Sequence, residues 1–406
     1  MKILFISPTF PVPISGGRTR LYNIIKQLSI RHEVSLISFL QPSDQDYIGQ
    51  IEPFCENLEL VQIEDYASAG KWRNRVRGWG QILLSNRPKY VQTFPVEEMR
   101  HPLRRMLEDR AYDVVGFEQL FLVELKSELH NIPSLLIEQN IESDISARRM
   151  QQADNPVHKL RDRLIWQRLV QFERHWLRQF PVCVAVSPHD ADRIGELAPA
   201  QSVIVVPNGV DCEYFDAESN DRSLNTVLFF GSLSYQPNID AVIWFCHEVW
   251  PHVHSALPDI EFEIVGLQPG PRIARLADLP GVHLTGFVPD IRQKLWSSSL
   301  SVVPLRIGGG TRIKILEAMA ASCPVVSTAI GAEGLEVEDG KHLQIANSGK
   351  EFIDKTVELL KSPDKRAKLA QAGRELTVEK YDWQVLAPRL EYALAKTIEI
   401  YATTTN

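Results

Sequence analysis

The sequence is poor in cysteine, and its few cysteines are far apart. The five thiols stand at positions 55, 183, 212, 246 and 323, with no Cys-x-x-Cys pair and no cluster with histidine. A structural zinc site and a disulfide framework are both disfavoured, because each needs closely spaced or paired cysteines. An odd number of scattered thiols is typical of a protein in a reducing compartment.

Long hydrophobic runs are also missing. The first apolar run covers Ile3–Ile6 and stops at Ser7 and Pro8, whereas the core of a signal peptide needs about 7–15 apolar residues. No later stretch approaches the roughly 18 apolar residues of a membrane-spanning helix. These absences predict a cytoplasmic protein whose chain begins with a β-strand.

An excess of positive charge is absent as well. Lys and Arg number 44 against 51 Asp and Glu, which gives a net charge of −7. No nucleic-acid partner is expected, because nucleic-acid binding proteins present a basic surface. One stretch, residues 71–110, is locally basic and opens with Lys-Trp-Arg-Asn-Arg-Val-Arg-Gly-Trp. Basic residues interleaved with Trp suit peripheral contact with the inner face of a membrane, although a solvated helix face has the same composition.

The sequence does contain two series of short apolar runs. The first series covers residues 3–7, 34–39, 58–63, 114–117, 134–137, 183–187 and 203–206, and the second covers 227–230, 262–265, 282–285, 300–305, 325–327 and 343–345. Runs buried on both faces that alternate with amphipathic segments predict parallel sheets. We therefore predict an α/β protein with two doubly wound, Rossmann-like domains.

The turn at residues 207–211, Pro-Asn-Gly-Val-Asp, marks the predicted seam between the two domains. The first domain is expected to cover residues 1–206 and the second residues 207–380. A final helix over 381–402 carries Leu and Ile at i+4 steps. Pro388 lies inside this pattern, so the helix either kinks there or begins near it.

In doubly wound sheets, ligands bind at loops that follow strands. The loop after the first run contains Gly16, Gly17 and Arg18 just before a predicted helix. Glycines let the main chain approach a ligand, and a helix N-terminus favours an anion. We predict a phosphate or acceptor loop here. It is not the Gly-x-Gly-x-x-Gly dinucleotide fingerprint.

The strongest candidate loop follows the run at 300–305 and leads into a helix. Its chemistry is carried by Gly308, Gly309, Gly310, Thr311, Arg312 and Lys314, with Glu317 one to two turns into the helix. Exposed backbone N–H groups, a helix N-terminus and two cations suit a diphosphate. The loop lacks the Gly-Lys-Ser/Thr of a Walker motif. A carboxylate at position 317 would serve a neutral neighbour such as a ribose diol.

A third loop, with Gly231 and Ser232, ends the first run of the second series and precedes Asn238. Two Asp-x-Asp pairs, Asp44-Gln45-Asp46 and Asp190-Ala191-Asp192, occur in the first half. The first lies in a polar turn and the second opens a helix, where acidic residues suit the helix dipole. We therefore expect no metal and no other cofactor.

Together these segments resemble the retaining glycosyltransferases of family 4, which have the GT-B fold. The resemblance covers most of residues 205–346 in order. It is carried by Pro-Asn-Gly-Val-Asp at 207–211, Phe-Phe-Gly-Ser-Leu at 229–233, Thr-Gly-Phe-Val-Pro-Asp at 285–290, Leu-Glu-Ala-Met-Ala at 316–320 and Cys-Pro-Val-Val-Ser-Thr at 323–328. The match in the first half is thinner.

The resemblance implies two facing Rossmann-like domains, with the last helix crossing back to the first. It also implies retaining, metal-independent sugar transfer from a nucleotide-sugar, with UDP or GDP favoured, to a glycan, lipid-linked sugar or small molecule. The implied donor-binding residues are Gly231, Ser232, Gly266, Val288, the loop 308–312, Lys314 and Glu317. Arg312 and Lys314 would stabilise the diphosphate leaving group, and Glu317 would bind the ribose.

The sequence departs from the family pattern at three places. The family commonly has Arg and Lys soon after the Gly-Ser strand, where this chain has Ser-Tyr-Gln-Pro-Asn at 234–238. The family often has a glutamate eight residues before the one at position 317, where this chain has Gly309. Many members have a histidine after the fourth strand, where this chain has Glu118, a candidate catalytic residue. Glu138 and Asn140 are alternatives on the acceptor side. Two other functions stay open at this point: a nucleotide-sugar epimerase of the same architecture, and a non-catalytic nucleotide-sugar-binding protein.

Overall fold

A computed structural model describes residues 1–12, 18–63, 94–151, 156–216, 225–267, 269–307 and 312–405. Three parts of the predictions above lie outside these residues. They are Gly16 with Gly17, residues 71–93 of the basic stretch 71–110, and the loop of Gly308, Gly309, Gly310 and Thr311.

The chain forms two compact units. The first contains Met1–Pro207 together with Ala387–Asn406, and the second contains Asn208–Leu386. The chain thus passes from one unit to the other inside the turn at 207–211. Within the second unit, this turn is hydrogen-bonded to residues 381–383, where the chain is about to return to the first unit. The Val210 N–H donates to the Tyr381 carbonyl at 2.9 Å, and the Trp383 N–H donates to the Val210 carbonyl at 3.2 Å.

Within the described residues, the first unit holds a sheet of seven parallel strands in the order β3-β2-β1-β4-β5-β6-β7. The strands are β1 (Lys2–Ser7), β2 (Glu33–Leu40), β3 (Asn57–Gln62), β4 (Val114–Glu118), β5 (Ser134–Ile137), β6 (Val182–Ala185) and β7 (Ser202–Val205). Each coincides with a run of the first predicted series to within about two residues. The edge strand β7 is half-buried throughout, and the edge strand β3 is half-buried except at its exposed last residue, whereas β4, β5 and β6 are buried along their whole length.

Helices connect these strands and cover the sheet. They are α1 (Arg18–Leu28), α2 (Val96–Asp109), α3 (Glu142–Gln151), α4 (Pro156–Leu177) and α5 (Pro188–Leu197), with 3₁₀ segments at Pro42–Gln50, Glu52–Phe54 and Leu120–Glu128. Helix α5 begins as predicted, because the Ser187 hydroxyl accepts the Asp190 N–H at 3.1 Å and caps the first turn.

The second unit repeats the plan. Its described residues form a sheet of six parallel strands in the order β10-β9-β8-β11-β12-β13. The strands are β8 (Thr226–Phe230), β9 (Glu261–Val265), β10 (Val282–Gly286), β11 (Leu300–Val303), β12 (Val325–Ser327) and β13 (Gln344–Ile345). They confirm the second predicted series, and the two sheets together confirm the doubly wound α/β prediction.

The helices of this unit pack on its sheet. They are α6 (Gln236–Trp244), α7 (Trp250–Ala256), α8 (Pro271–Ala274), α9 (Arg292–Ser297), α10 (Ile313–Ala320), α11 (Gly349–Lys361) and α12 (Pro363–Lys380), with a π-helical turn at Phe245–Val249 and a 3₁₀ segment at Arg275–Asp278. One continuous core, which includes Phe229, Phe245, Phe262 and Phe352, fills the unit.

The last helix, α13 (Trp383–Thr405), begins five residues before Pro388 and runs through it. From Ala387 onward it belongs to the first unit. Leu390, Ala393 and Leu394 are buried there. The Glu391 carboxylate pairs with Arg31 and His32, each at 3.0 Å. In the part of the chain that the structure describes, no helix is both long enough and apolar enough to cross a membrane.

Candidate functional site

In the second unit, the strands β8, β9 and β10 end at one edge of the sheet, and each ends on or beside a glycine. The Gly231 N–H donates to the Val265 carbonyl at 3.0 Å, and the Gly266 N–H donates to the Gly286 carbonyl at 2.8 Å. Gly231 has φ = +145°, a region that favours glycine. A Cβ at Gly266 would lie 2.1 Å from the Gly231 carbonyl oxygen. The main chains at Gly231 and Gly266 therefore approach so closely that only glycine fits at position 266.

Replacing Gly266 by alanine is expected to lower the free energy of unfolding by about 1–3 kcal/mol, the usual cost of overpacking. The new Cβ would meet backbone, so β8 and β9 would have to shift. Urea unfolding measures the effect. Gly270→Ala is the matched control, since nothing lies within 4 Å of a Cβ there. An unfolding midpoint for Gly266→Ala equal to that of the control would contradict the close approach.

Lys314, the second residue of α10, places its ammonium group at this edge. Its Nζ donates to Asn238 Oδ1 at 3.0 Å, and Asn238 Nδ2 donates to the Ser232 carbonyl at 2.9 Å. The same Nζ lies 4.6 Å from the centroid of the Phe229 ring, which adds a cation–π contact. A Cβ at Gly231 would lie only 2.7 Å from this Nζ. Gly231, Ser232 and Lys314, predicted separately, thus come together, and Asn238 joins them.

Lys314 and Glu317 carry opposite charges that act on each other. Burial, with the nearby Arg312 charge, lowers the pKa of Lys314 to about 7, against the opposing effect of Glu317. Burial raises the pKa of Glu317 to about 7, against the opposing effect of Lys314. An anion bound beside Lys314 would restore its positive charge. Lys314 can therefore bind an anion, and the Glu317 carboxylate can accept hydrogen bonds from hydroxyl groups.

Arg306, which precedes the glycine loop, forms an ion pair within the protein. Arg306 pairs with Asp240 through its Nη2 at 2.6 Å and its Nε at 3.0 Å. The Thr328 hydroxyl donates to the Leu305 carbonyl at 2.5 Å and fixes the chain at the start of that loop. Arg312 stands at the N-cap position of α10, one turn before Glu317.

Large apolar side chains are exposed in the loops after β8, β9 and β10. Tyr235 is 50% exposed, Leu267 is 52% exposed and Phe287 is 57% exposed. Val288, a predicted donor-binding residue, is half-buried and packs on the core beside Phe287. The sequence pattern gives no separate prediction for these three, although an apolar residue directly after a strand end is a usable signal. They offer a surface on which a planar ring could lie.

In the first unit, the guanidinium group of Arg18 is already engaged in hydrogen bonds within the protein. Its Nη1 donates to the Asp44 carboxylate and to the Val12 carbonyl, both at 3.0 Å. Asp44 is buried, so this ion pair anchors the start of α1 to the 3₁₀ segment at Pro42–Gln50. The two Asp-x-Asp pairs thus contribute an ion pair and, through Asp190, a helix cap.

Glu118, the last residue of β4, is 2% exposed. Its carboxylate accepts a hydrogen bond from the Gln139 amide, and the charge of Arg20 acts on it. Burial raises the pKa of Glu118 to about 7, although Arg20 and Gln139 both oppose this shift. Arg20 in turn donates to the carbonyls of Val206 and Pro207, both at 2.9 Å. Such a carboxyl is poised to exchange a proton near neutral pH.

Arg20 is a buried functional candidate that the sequence motifs do not single out. Its signal is its place at i−4 from Ile24, on the stripe that continues to Leu28 and faces the core of the unit. Glu138 follows β5 and is 4% exposed, while Asn140 is half-buried. The charge of Glu118 acts on Glu138, so the predicted catalytic and acceptor-side carboxyls lie near each other.

Two family models match the chain. Residues 14–214 match the model described as Glycosyltransferase Family 4, and residues 225–362 match the model described as Glycosyl transferases group 1. A relative from Klebsiella pneumoniae, an uncharacterized 44.6 kDa protein in the cps region, is 22% identical over 94% of this chain and 96% of its own length. The phosphatidyl-myo-inositol mannosyltransferase of Mycobacterium leprae is 27% identical over 48% of this chain and 53% of its own length.

Solved structures share the fold along nearly the whole chain. Sucrose-phosphate synthase from Thermosynechococcus elongatus matches with a TM-score of 0.73 at 15% identity, covering 98% of this chain and 100% of that chain. HepE of Anabaena, solved with UDP and glucose, matches with a TM-score of 0.70 at 17% identity and the same coverage. The chain belongs to glycosyltransferase family 4, the group 1 glycosyltransferases, and is a glycosyltransferase with the GT-B fold.

Proposed function

We propose that the enzyme transfers a sugar from a nucleoside-diphosphate sugar to an acceptor, with retention of configuration and without a metal ion. The observation that carries this proposal is the Lys314 ammonium group. It is hydrogen-bonded to Asn238 and lies beside the bare backbone of Gly231. A fixed positive charge at a glycine-rich strand end suits a diphosphate.

Each residue at this edge would have a distinct role in the transfer. Lys314 and Arg312 would stabilise the charge that develops on the departing diphosphate, which takes the place of a metal ion in the scheme. Glu317 would accept hydrogen bonds from the ribose hydroxyls. Phe287 and Leu267, both exposed beyond the strand ends, would pack against the nucleobase.

The first unit would bind the acceptor. Glu118 and Glu138 lie at the carboxyl end of its sheet, where ligands of parallel sheets bind. A glycan or a lipid-linked sugar is the proposed acceptor class. The composition of the basic stretch 71–110, of which residues 71–93 lie outside the described residues, supports peripheral contact with an anionic membrane surface.

The names of similar proteins support a nucleotide-sugar donor and leave its identity open. HepE structures were solved with UDP and with UDP-glucose. Two relatives are named as mannosyltransferases, and each match covers about half of the relative. These names favour a UDP- or GDP-sugar.

A thermal-shift panel of UDP-, GDP-, ADP- and dTDP-sugars tests the proposal. The cognate donor is expected to raise the melting temperature, since a ligand at 100 times its Kd adds about 2.7 kcal/mol to the stability of the native state. The corresponding nucleoside monophosphate serves as the control, because it lacks the second phosphate. If no nucleotide-sugar shifts the melting temperature, the donor assignment is wrong.

Transfer with the cognate donor is expected to survive EDTA, because the leaving group is stabilised by Lys314 and Arg312. The rate of product formation is measured with EDTA and with added Mg²⁺ or Mn²⁺. Strict dependence on a divalent cation would contradict the metal-independent scheme.

A further inference from the structure

Three carboxyl side chains are buried at the carboxyl end of the first sheet. Glu118 ends β4, Glu138 follows β5, and Glu173 reaches in from α4, with exposures of 2%, 4% and 1%. Burial of an ionised group is costly unless it is paired. Three acids in one buried place therefore need an explanation beyond packing.

Each of the three acids has one buried carboxyl oxygen without a hydrogen bond. Glu118 Oε2 is one of these, although the Gln139 amide donates to Glu118 Oε1 and the Arg20 charge acts on this carboxyl. Glu173 Oε1 accepts the Ser143 N–H at 2.9 Å, which caps the start of α3, but Glu173 Oε2 is buried without a hydrogen bond. Burial raises the pKa of Glu173, and the Ser143 side chain opposes this shift. Glu138 Oε1 is likewise buried without a hydrogen bond.

The charges around Glu138 are negative on every side. Glu173 from α4, Glu142 from α3, Glu118 from β4 and Asp190 from α5 all repel its ionised form, and with burial they raise the pKa of Glu138 well above its ordinary range. Arg20 acts on Glu118, and Arg193 pairs with Asp144. Where the structure describes the side chains, which leaves out, among others, those of residues 148, 149 and 151–158, no basic residue forms an ion pair with Glu138 or Glu173.

Glu138 and Glu173 line one small cavity, together with Gln119, Phe121 and Asn140. Its volume is about 10 Å³, which is the space of one water-sized group. An ammonium group has this size, carries N–H donors for the unpartnered oxygens of the two acids that line the cavity, and cancels the local negative charge.

We propose that the cavity between Glu138 and Glu173 binds the ammonium group of the acceptor, so that the acceptor is an amine-bearing molecule such as an amino sugar with a free amine. This inference rests on the proposed function, which assigns the acceptor to the first unit. The N–H groups of the ammonium donate to Glu138 Oε1 and Glu173 Oε2. Asn140 lies beside them in the cavity wall.

The test uses the full chain and simple ammonium salts at equal ionic strength near pH 8. Methylammonium chloride is expected to raise the melting temperature by about 2–4 °C relative to tetramethylammonium chloride, the shift that about 1 kcal/mol gives in a unit of this size. Tetramethylammonium lacks N–H groups and has no –NH3⁺ head that could enter the cavity. Potassium chloride tests whether the site binds any monovalent cation. Ammonium chloride tests whether the site binds only the free ammonium ion or also a substituted amine.

Variants tie the response to the two carboxyls. Glu138→Gln and Glu173→Gln are expected to fold, because each removes a repelling charge, and to lose the methylammonium response. Glu108→Gln, an exposed acid of α2, is the matched control and should keep the response. Circular dichroism establishes that the variants fold.

The proposal is overturned by any of four results. These are equal shifts in all salts, an equal shift with potassium, a response to ammonium but not to methylammonium, or a full methylammonium response in Glu138→Gln. Donor binding in the nucleotide-sugar panel is read separately. A protein that binds its donor but ignores methylammonium keeps the transferase proposal and loses this one.

Discussion

Replacing Lys314 by methionine is expected to lower kcat for sugar transfer by about 100- to 1,000-fold, the usual loss when one group that stabilises a developing anion is removed. Methionine keeps an unbranched side chain over the Phe229 ring but carries no charge and donates no hydrogen bond. The rate is measured at saturating cognate donor, so that weaker binding does not enter the comparison.

The same variant is expected to change how stability depends on pH. Burial holds the pKa of Lys314 at about 7, below its ordinary 10.5. The charged form therefore destabilises the folded state fully below about pH 7, and this penalty disappears as pH rises toward 10.5. The melting temperature of Lys314→Met relative to the wild type should fall between pH 7 and pH 10.

Lys350→Met is the matched control for both measurements, because Lys350 is exposed at the start of α11. It should leave kcat and the pH dependence of stability unchanged. A Lys314→Met enzyme with wild-type kcat would remove Lys314 from the catalytic scheme.

Replacing Glu317 by glutamine is expected to weaken binding of the cognate donor by about 10- to 150-fold, which corresponds to about 1.5–3 kcal/mol for hydrogen bonds to a charged group. Because burial raises the pKa of Glu317 to about 7, the carboxylate is fully ionised only above that pH. The loss should therefore be larger at pH 8 than at pH 6. Isothermal titration with the cognate donor measures it.

Glu379→Gln provides the comparison, since Glu379 is exposed on α12 of the same unit. Its donor affinity should match that of the wild type at both pH values. Unchanged affinity in Glu317→Gln would refute the ribose role, and a loss that does not depend on pH would refute the part played by ionisation.

The strands were predictable because buried parallel strands have continuous runs of apolar residues in the sequence. β4 and β5, for example, lie at 114–118 and 134–137, where the sequence places Val, Phe, Leu and Ile together. Their order in the sheet follows from the doubly wound pattern. The start of the last helix was harder to place. Pro388 is the sixth residue of α13, past the first turn where proline is readily accommodated, so the sequence left open whether the helix runs through it.

Glycines and charges that directly follow strands let the sequence single out candidate ligand loops, and their role in binding stays a prediction. The partners of the basic residues were not predictable. Arg18 is a predicted residue of the phosphate or acceptor loop, yet it pairs with Asp44, which lies 26 residues away along the chain. Arg306, which precedes the glycine loop, likewise pairs with Asp240 across 66 residues. Lys314 pairs with Asn238 across 76 residues. Such pairings depend on tertiary contacts that local patterns do not encode.

Buried charges were the least predictable part of the site. Glu173 sits on the same stripe of α4 as Leu169, Phe172 and Leu177, which are all buried. A charged residue on such a stripe reads by composition as a surface position. Its burial becomes evident only when α3 and β5 pack around it.

The division of α13 between the two units has a consequence for synthesis of the chain. Residues 387–406 belong to the first unit, yet they follow the whole of residues 208–386. At about 5–20 residues per second, the ribosome needs roughly 10–40 s to make the intervening segment. During that interval Arg31 and His32 lack Glu391, and the apolar surface meant for Leu390 and Leu394 stays open. Until α13 is made, the first unit therefore keeps an incomplete apolar surface, although its sheet is synthesised first.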